Sequence, residues 1–258
     1  MYRTLPTDRV SVVIPVRNDH EYLERCLEAL ARQTYAPWEV IVVDNSSTDR
    51  SAAVAARHGA FVVDELEVGI PTASATGYDS ASGDIIARLD ADSIPGVTWV
   101  ASVCESLMKH SNAAAVTGRG ILMDDDGRPH RRSSAFFMNA YFWCVGSALG
   151  HPPLWGSAFA MRRQAWLEIR HEVCRHDSFV HDDMDLSIHL GPTREIVVDP
   201  LLTVAASARP LALDLTTVRR FVRGFYTIVR HWPHELPPIR IAKRLRAKRE
   251  LLEPALAV

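Results

Sequence analysis

The stretch Val40-Ile41-Val42-Val43-Asp44-Asn45-Ser46-Ser47-Thr48-Asp49 decides the fold, because a β-branched run stops on a carboxylate and a set of small turn formers. The same order recurs in Ile85-Ile86-Ala87-Arg88-Leu89-Asp90-Ala91-Asp92. Short continuous apolar runs predict strands buried on both faces, as in a mainly parallel sheet. In open α/β sheets ligands sit beyond the carboxyl ends of the strands, so the two acidic clusters are expected to meet at one pocket.

Within the second cluster, residues two apart on an extended segment point to the same side. Asp90 and Asp92 can therefore face one cation while Ala91 turns away. Hard oxygen ligands of this kind suit Mn²⁺ or Mg²⁺, which add substrate phosphates and water to one or two carboxylates. The competing reading is that both aspartates cap a turn at Ser93-Ile94-Pro95-Gly96, where Asp serves the local backbone.

Working outward, strand and helix patterns alternate. Val10 to Val16 reads as a buried strand, and Leu23, Cys26, Leu27 and Leu30 give helical spacing between Glu21 and Gln33. A helix from Asp49 to His58 is expected, capped by Ser47 or Thr48. Phe61-Val62-Val63 predicts a third strand and Thr72 to Ser82 a third helix closed by Gly83. A helix over Gly96 to His110 and a strand over Ala113 to Thr117 follow. Repeated βα units of this kind imply a doubly wound α/β domain. The triple carboxylate Asp124-Asp125-Asp126 sits among turn formers and reads as a solvated loop.

A length of 258 residues allows one large domain or two small ones. The formal net charge of −2 gives no general affinity for nucleic acid, and no nucleic-acid-reading motif is present. Cys26, Cys104, Cys144 and Cys174 are scattered without paired spacing, which predicts reduced thiols and a cytoplasmic protein. The polar segment Met1 to Arg9 carries no apolar export signal, which points the same way. Ala135 to Gly150 is the most apolar later stretch. It is shorter than a bilayer span, so a buried or interfacial helix is expected.

Five ordered blocks resemble the family 2 glycosyltransferases of the GT-A fold, bacterial in type and non-processive. They are Ser11-Val12-Val13-Ile14-Pro15-Val16-Arg17-Asn18, then Trp38 through Asp49, then Ala81-Ser82-Gly83-Asp84-Ile85-Ile86 leading into Leu89-Asp90-Ala91-Asp92. The fourth is Gly156-Ser157-Ala158-Phe159-Ala160-Met161-Arg162-Arg163, and the fifth is Asp182-Asp183-Met184-Asp185-Leu186-Ser187. The resemblance implies a GT-A catalytic domain over residues 1–210, with 1–118 binding the nucleotide sugar and 119–210 the acceptor. Residues 211–258 would form a basic helical extension.

The resemblance also implies roles. Pro15, Val16, Arg17 and Asn18 would begin the nucleotide pocket, Asp44 would hold the base or ribose, and Ser46 would line the same turn. Asp90 and Ala91 would lie near the ribose and diphosphate, with Asp92, assisted by Asp90, on the metal. Asp183 would be the general base, with Asp182 as the second candidate. The chemistry needs such parts in any case. A departing nucleoside diphosphate gathers negative charge that a cation stabilises, and the incoming hydroxyl needs a carboxylate to take its proton. A base facing a metal across the sugar gives direct displacement with inversion. For Asp182 and Asp183 a capping role at a helix start remains the alternative reading.

Two departures from the family pattern stand out. Ser74-Ala75 and Gly77 occupy the helix where relatives often carry a basic residue next to Asn. The Gln-X-X-Arg-Trp signature of processive synthases is missing, and its nearest match is Arg219 to Phe225, where Arg220 and Arg223 could clamp phosphate oxygens. His171, Cys174, His176 and His181 match no zinc spacing and read as incidental. No dinucleotide or P-loop glycine pattern is present. The expected partners are a nucleotide-diphosphate sugar and a glycan, lipid-linked or small-molecule acceptor. A silent binding module of the same fold is the alternative.

The tail interleaves Arg219, Arg220, Arg223, Arg230, Arg240, Lys243, Arg244, Arg246, Lys248 and Arg249 with Phe221, Phe225, Tyr226, Trp232, Ile241 and Leu245. That pattern predicts either reversible binding to the anionic inner face of a membrane, led by the distal half, or a packed helix with a solvated basic face.

Overall fold

The structure is a computed structural model that describes residues 8–124, 126–211, 215–232 and 234–252. Its centre is β1 (Val10–Val16), in which all seven residues are buried. Alternate side chains serve opposite faces. Val10, Val12, Ile14 and Val16 pack with α1 (His20–Ala31) and α4 (Trp99–Lys109), whereas Val13 packs with α3 (Ile70–Ser80) on the other side. Coverage on both faces is why the strand reads as an unbroken apolar run.

β1 pairs in parallel with β2 (Glu39–Asp44) and β4 (Ile85–Arg88), and β2 pairs in parallel with β3 (Phe61–Asp64). Beyond β4 the sheet continues through β8 (Phe159–Arg162) to β6 (Ala113–Thr117) and β9 (Glu195–Val198), giving the order β3-β2-β1-β4-β8-β6-β9. β8 alone runs antiparallel to its neighbours. Its register sets Arg88 opposite Phe159, so the turn that precedes β8 lies at the edge where β4 ends. α2 (Ser51–Arg57) follows β2; α6 (Arg163–Ile169) and α7 (Asp182–Leu190) cover the α3 side. Gly77 lets α3 approach closely, because a Cβ there would run into Val13 and Val43.

Several local expectations are corrected. The segment after Asp92 is not an open turn but β5 (Ser93–Pro95). It pairs with β10 (Val204–Ser207), which also pairs with β7 (Gly120–Met123), to form a second, three-stranded sheet. Neither Ser47 nor Thr48 caps α2. The N-cap is Arg50, which makes no side-chain capping bond, and Asp49 before it accepts from the Ser51 amide at 2.9 Å and the Ser51 hydroxyl at 2.6 Å. Gly83 does not close α3, which ends at Ser80; its small size is needed because a Cβ would strike the β1 backbone at Arg9 and Ser11.

The apolar stretch expected to form a buried or interfacial helix lies in α5 (Arg131–Leu149), which is mostly half-buried or exposed. Only Ser134, Met138 and Leu149 are fully buried, while Phe136 and Trp143 are open to solvent. Among the described residues no helix is long and apolar enough to cross a membrane.

α8 (Leu215–Arg230) and α9 (Pro237–Leu252) complete the described chain. Arg240 on α9 is no surface charge. It is 1% exposed and donates to the carbonyls of Leu149 at 2.8 Å and Ile188 at 3.0 Å and to Glu235 at 2.9 Å. Glu235 also pairs with Lys243. α9 is thus docked through its arginine, and the amphipathic element is α8. Val218, Phe221, Val222, Phe225 and Val229 form one exposed apolar stripe on it.

Candidate active site

At the carboxyl edge of the sheet the structure gathers three carboxylates around one buried cation. Arg88, the last residue of β4, is 2% exposed. One guanidinium nitrogen donates to Asp90 Oδ1 at 2.9 Å; the other meets Asp182 Oδ2 and lies 3.4 Å from the Tyr78 hydroxyl. Its Nε is buried without a partner. Burial opposes the charge, but Asp182, Tyr78 and Asp90 more than offset it, so Arg88 remains a fixed cation.

The turn Gly156-Ser157 adds a second link. Ser157 Oγ donates to Asp90 Oδ2 at 2.6 Å, and the Gly156 amide donates to Asp183 Oδ2 at 2.9 Å. A Cβ at Gly156 would lie 3.2 Å from Asp183 Oδ2, a tight contact that would press on that carboxylate. Asp90 does not serve the following turn through its side chain; the turn is closed by its backbone carbonyl, which accepts from the Ser93 amide at 3.0 Å.

Asp182 and Asp183 open α7 side by side yet differ in environment. Burial raises both, but Arg88 and the Ser74 hydroxyl, 2.8 Å from Asp182 Oδ2, hold Asp182 below the ordinary carboxylate range. Asp183 is pushed above that range by burial and by the neighbouring Asp182 charge, against the pull of His181 and Arg88. The Tyr141 hydroxyl of α5 donates to the Leu154 carbonyl at 2.6 Å and lies 3.5 Å from Asp183 Oδ2. Ser74 therefore takes up the position in the chain where a basic residue was missing, and it meets Asp182.

Asp92 lies on the far side of Asp90, 18% exposed, and accepts from Arg209 at 2.7 Å. Arg209 also reaches Asp19 at 2.8 Å and stacks on Tyr22 with 4.8 Å to the ring centre. Burial and the charge of Asp90 raise the Asp92 carboxyl despite Arg209.

A cleft of about 150 Å³ opens at the ends of β1 and β2, lined by Pro15, Val16, Arg17, Asn45, Gly69 and Ala73 among others. Asn45 shapes it by bonding the carbonyls of Glu65 and Glu67 and the Gly69 amide. Asp44 ends β2 with its Oδ1 buried and without a partner. Asn18 and Ser46 adopt positive φ of 53° and 55°; the Asn18 Oδ1 accepts from the Thr48 amide at 2.7 Å, and the Ser46 hydroxyl donates to the Glu65 carbonyl at 3.2 Å. Ala91 is buried. Arg220 is exposed on α8, whereas Arg223 turns inward to the carbonyls of Phe179 at 3.2 Å and Val180 at 2.8 Å, just ahead of Asp182.

The sequence alone assigns no role to Arg88, Ser74, Ser157, Asn45 or Arg209. Arg88 alone carried a signal, a charge at the end of an apolar strand directly before Asp90.

A model of glycosyl transferase family 2 matches residues 11–170. The chain belongs to glycosyl transferase family 2. Over 109 residues the chain is 40% identical to the glycosyltransferase AglE of Haloferax volcanii, covering 39% of this chain and 35% of that protein. Over 102 residues it is 40% identical to the undecaprenyl-phosphate 4-deoxy-4-formamido-L-arabinose transferase of Serratia proteamaculans, covering 36% and 31%. The family 2 chain thus spans about a third of the length of these curated relatives. Its fold is that of the mannosyltransferase PcManGT of Pyrobaculum calidifontis, solved in complex with GDP-Man and Mn2+. The TM-score is 0.65 at 21% identity, covering 97% of this chain and 76% of that one.

Proposed function

We propose that the chain transfers a sugar from a nucleoside-diphosphate donor to an acceptor hydroxyl by a single inverting displacement. The reading rests on the Gly156-Ser157 turn, which touches both Asp90 and Asp183 and so joins a leaving-group side to an acceptor side across one edge. Residues 1–118 would hold the donor, residues 119–210 the acceptor, and residues 211–258 would extend the enzyme toward a surface.

On this reading the nucleotide enters the cleft beside Pro15, Val16 and Arg17, and the orphaned Asp44 Oδ1 accepts from the base or ribose. Asp183, the carboxylate that holds its proton more readily, takes the proton from the incoming hydroxyl as the new bond forms. Asp182 stays ionised against Arg88 and orients its neighbour.

The residues fit a divalent cation. Asp90 and Asp92 offer hard oxygens that accept from Arg88 and Arg209, and burial together with the charge of Asp90 raises Asp92. Mn2+ in the PcManGT complex supports that ion. Mg2+ would suit the same oxygens. When bound, such an ion supplies charge stabilisation to the departing diphosphate. Asp92→Ala is expected to abolish the Mn²⁺-dependent part of nucleoside-diphosphate binding. Equal affinity in that variant with and without Mn²⁺, where the parent chain shows a difference, would confirm the loss; a retained Mn²⁺ effect would remove Asp92 from the metal.

The lipid carrier in the name of the Serratia relative supports a lipid-linked acceptor. The exposed stripe of α8, flanked by Arg219 and Arg220, suits an anionic bilayer, where each basic residue near the surface contributes about 1 kcal/mol. Such contact would hold the enzyme at the cytoplasmic face. The chain is expected to sediment with vesicles rich in anionic lipid and far less with neutral ones, and Phe221→Ser with Phe225→Ser should reduce binding at least tenfold. Equal partitioning between the two vesicle types would defeat the assignment.

A further inference from the structure

Away from the carboxylate edge, four ligating side chains from three separate segments meet behind α7. Asp185 and His189 lie one helical turn apart and so share a face. Cys174 comes from the loop between α6 and α7, and His231 follows the end of α8. We propose that Cys174, Asp185, His189 and His231 form a second metal centre, one for a thiophilic transition ion of the zinc class. It goes beyond the transferase reading and does not depend on it.

The geometry is close to a finished site. One ligand atom each from Cys174, Asp185 and His231 lie within 4.8 Å of one another. His231 Nε2 is 2.9 Å from Asp185 Oδ1, and His189 Nε2 is 3.5 Å from the same oxygen. A tetrahedral zinc ion with ordinary bond lengths spaces its ligands about 3.3 to 3.8 Å apart, so shifts of up to about 1 Å bring Cys174, Asp185 and His231 to that spacing, with His189 beside Asp185 as the fourth ligand. His189 Nε2 is buried and makes no hydrogen bond. Its other nitrogen, Nδ1, has Glu172 Oε2 at 3.3 Å, the backing carboxylate that turns Nε2 of a metal-bound histidine inward. Asp185 is oriented from behind by the Cys174 amide at 2.7 Å.

The charges point the same way. The neighbouring His189 and His231, against burial and with Arg230 adding its pull, bring the Cys174 thiol down to about 7. Burial alone would lower His189, but Asp185 and Cys174 raise it to about 9, and His231 is raised by the same groups. Two imidazoles with ring centres 5.2 Å apart are thus both driven to hold protons around one carboxylate and one thiol. A dication in their midst replaces both protons with a single centre of charge, and binding releases those protons. Thiolate and imidazole select zinc or cobalt, whereas the Asp90 and Asp92 oxygens select manganese or magnesium. The alternative is a purely hydrogen-bonded ionic cluster, with Arg230 Nε 3.4 Å from Cys174 Sγ as one of its members.

Cobalt(II) titration of the full chain separates the two. The expected result is one equivalent bound with the intense visible bands of tetrahedral cobalt and a sulfur-to-cobalt charge-transfer band, displaced by one equivalent of zinc. The bands should persist in Asp92→Asn. Cys174→Ser should remove the charge-transfer band, and His231→Gln should weaken binding at least tenfold. A cobalt spectrum of the unaltered chain without a thiolate band, or no zinc retained after gel filtration at equimolar zinc, overturns the proposal. Because the unaltered chain decides the matter, misfolding of a variant does not rescue it.

Discussion

Asp183→Asn is expected to lower turnover by roughly 10² or more while leaving nucleoside-diphosphate binding intact, because the amide keeps the shape and loses the proton acceptor. Asp182→Asn should behave differently. Its partner Arg88 is buried, so that change weakens an ion pair and costs stability before it costs chemistry. The pH profile provides a second readout. Asp183 is raised by burial and by Asp182, so kcat/KM should fall with decreasing pH along a limb that lies above the ordinary carboxylate range. In Asp182→Asn the repulsion is gone, and that limb should move to lower pH. If Asp182→Asn suffers the larger loss of turnover, the base is Asp182. If the acid limb stays in place in that variant, the two carboxylates are not coupled as their adjacency implies.

The legible part of this protein is the part written in contiguous residues. β1, β2 and β4 are apolar runs that end on polar turns, so their existence and their common edge follow from periodicity alone, as does the placing of Asp44, Asp90 and Asp92 at strand ends. What escaped were features made by residues far apart in the chain. β5, β7 and β10 are three or four residues each, too short for a period, and they exist only because they pair with one another. Ser74 meets Asp182 across 108 positions and Ser157 meets Asp90 across 67, and nothing local in either serine announces the contact.

The same limit explains the tail. A run of arginines looks uniform in sequence, yet Arg240 is buried against backbone carbonyls, Arg223 braces the segment before α7, and Arg220 stays outside. It also explains the histidines. His171, Cys174, His176 and His181 looked like one group because they are close in sequence, but His176 goes to Glu67 and His181 to the Arg220 carbonyl. Cys174 joins Asp185 and His231 instead.

The largest effect on stability is expected at Arg88. It is the only cation paired with Asp182 among the described residues, and it also holds the partly exposed Asp90, so removing it leaves the buried Asp182 uncompensated with Asp183 close by. Taking one partner out of a buried ion pair typically costs about 3 to 5 kcal/mol, because the remaining charge keeps its desolvation penalty and loses its compensation. In a chain of this size that corresponds to a fall in Tm of roughly 6 to 20 °C. Arg88→Met, which fills the volume without the charge, should show this loss, and it should also lose activity by releasing Asp90 and Asp182 from one frame. Arg88→Lys should recover only part, since a single ammonium cannot bridge two carboxylates as the guanidinium fork does. The decisive measurement is the double variant Arg88→Met with Asp182→Asn. Removing the stranded charge should return most of the stability but not the turnover, a coupling readable as a double-mutant cycle. Were Arg88→Met to melt within 2 °C of the parent chain, the arginine would not be the element that holds the carboxylate edge together.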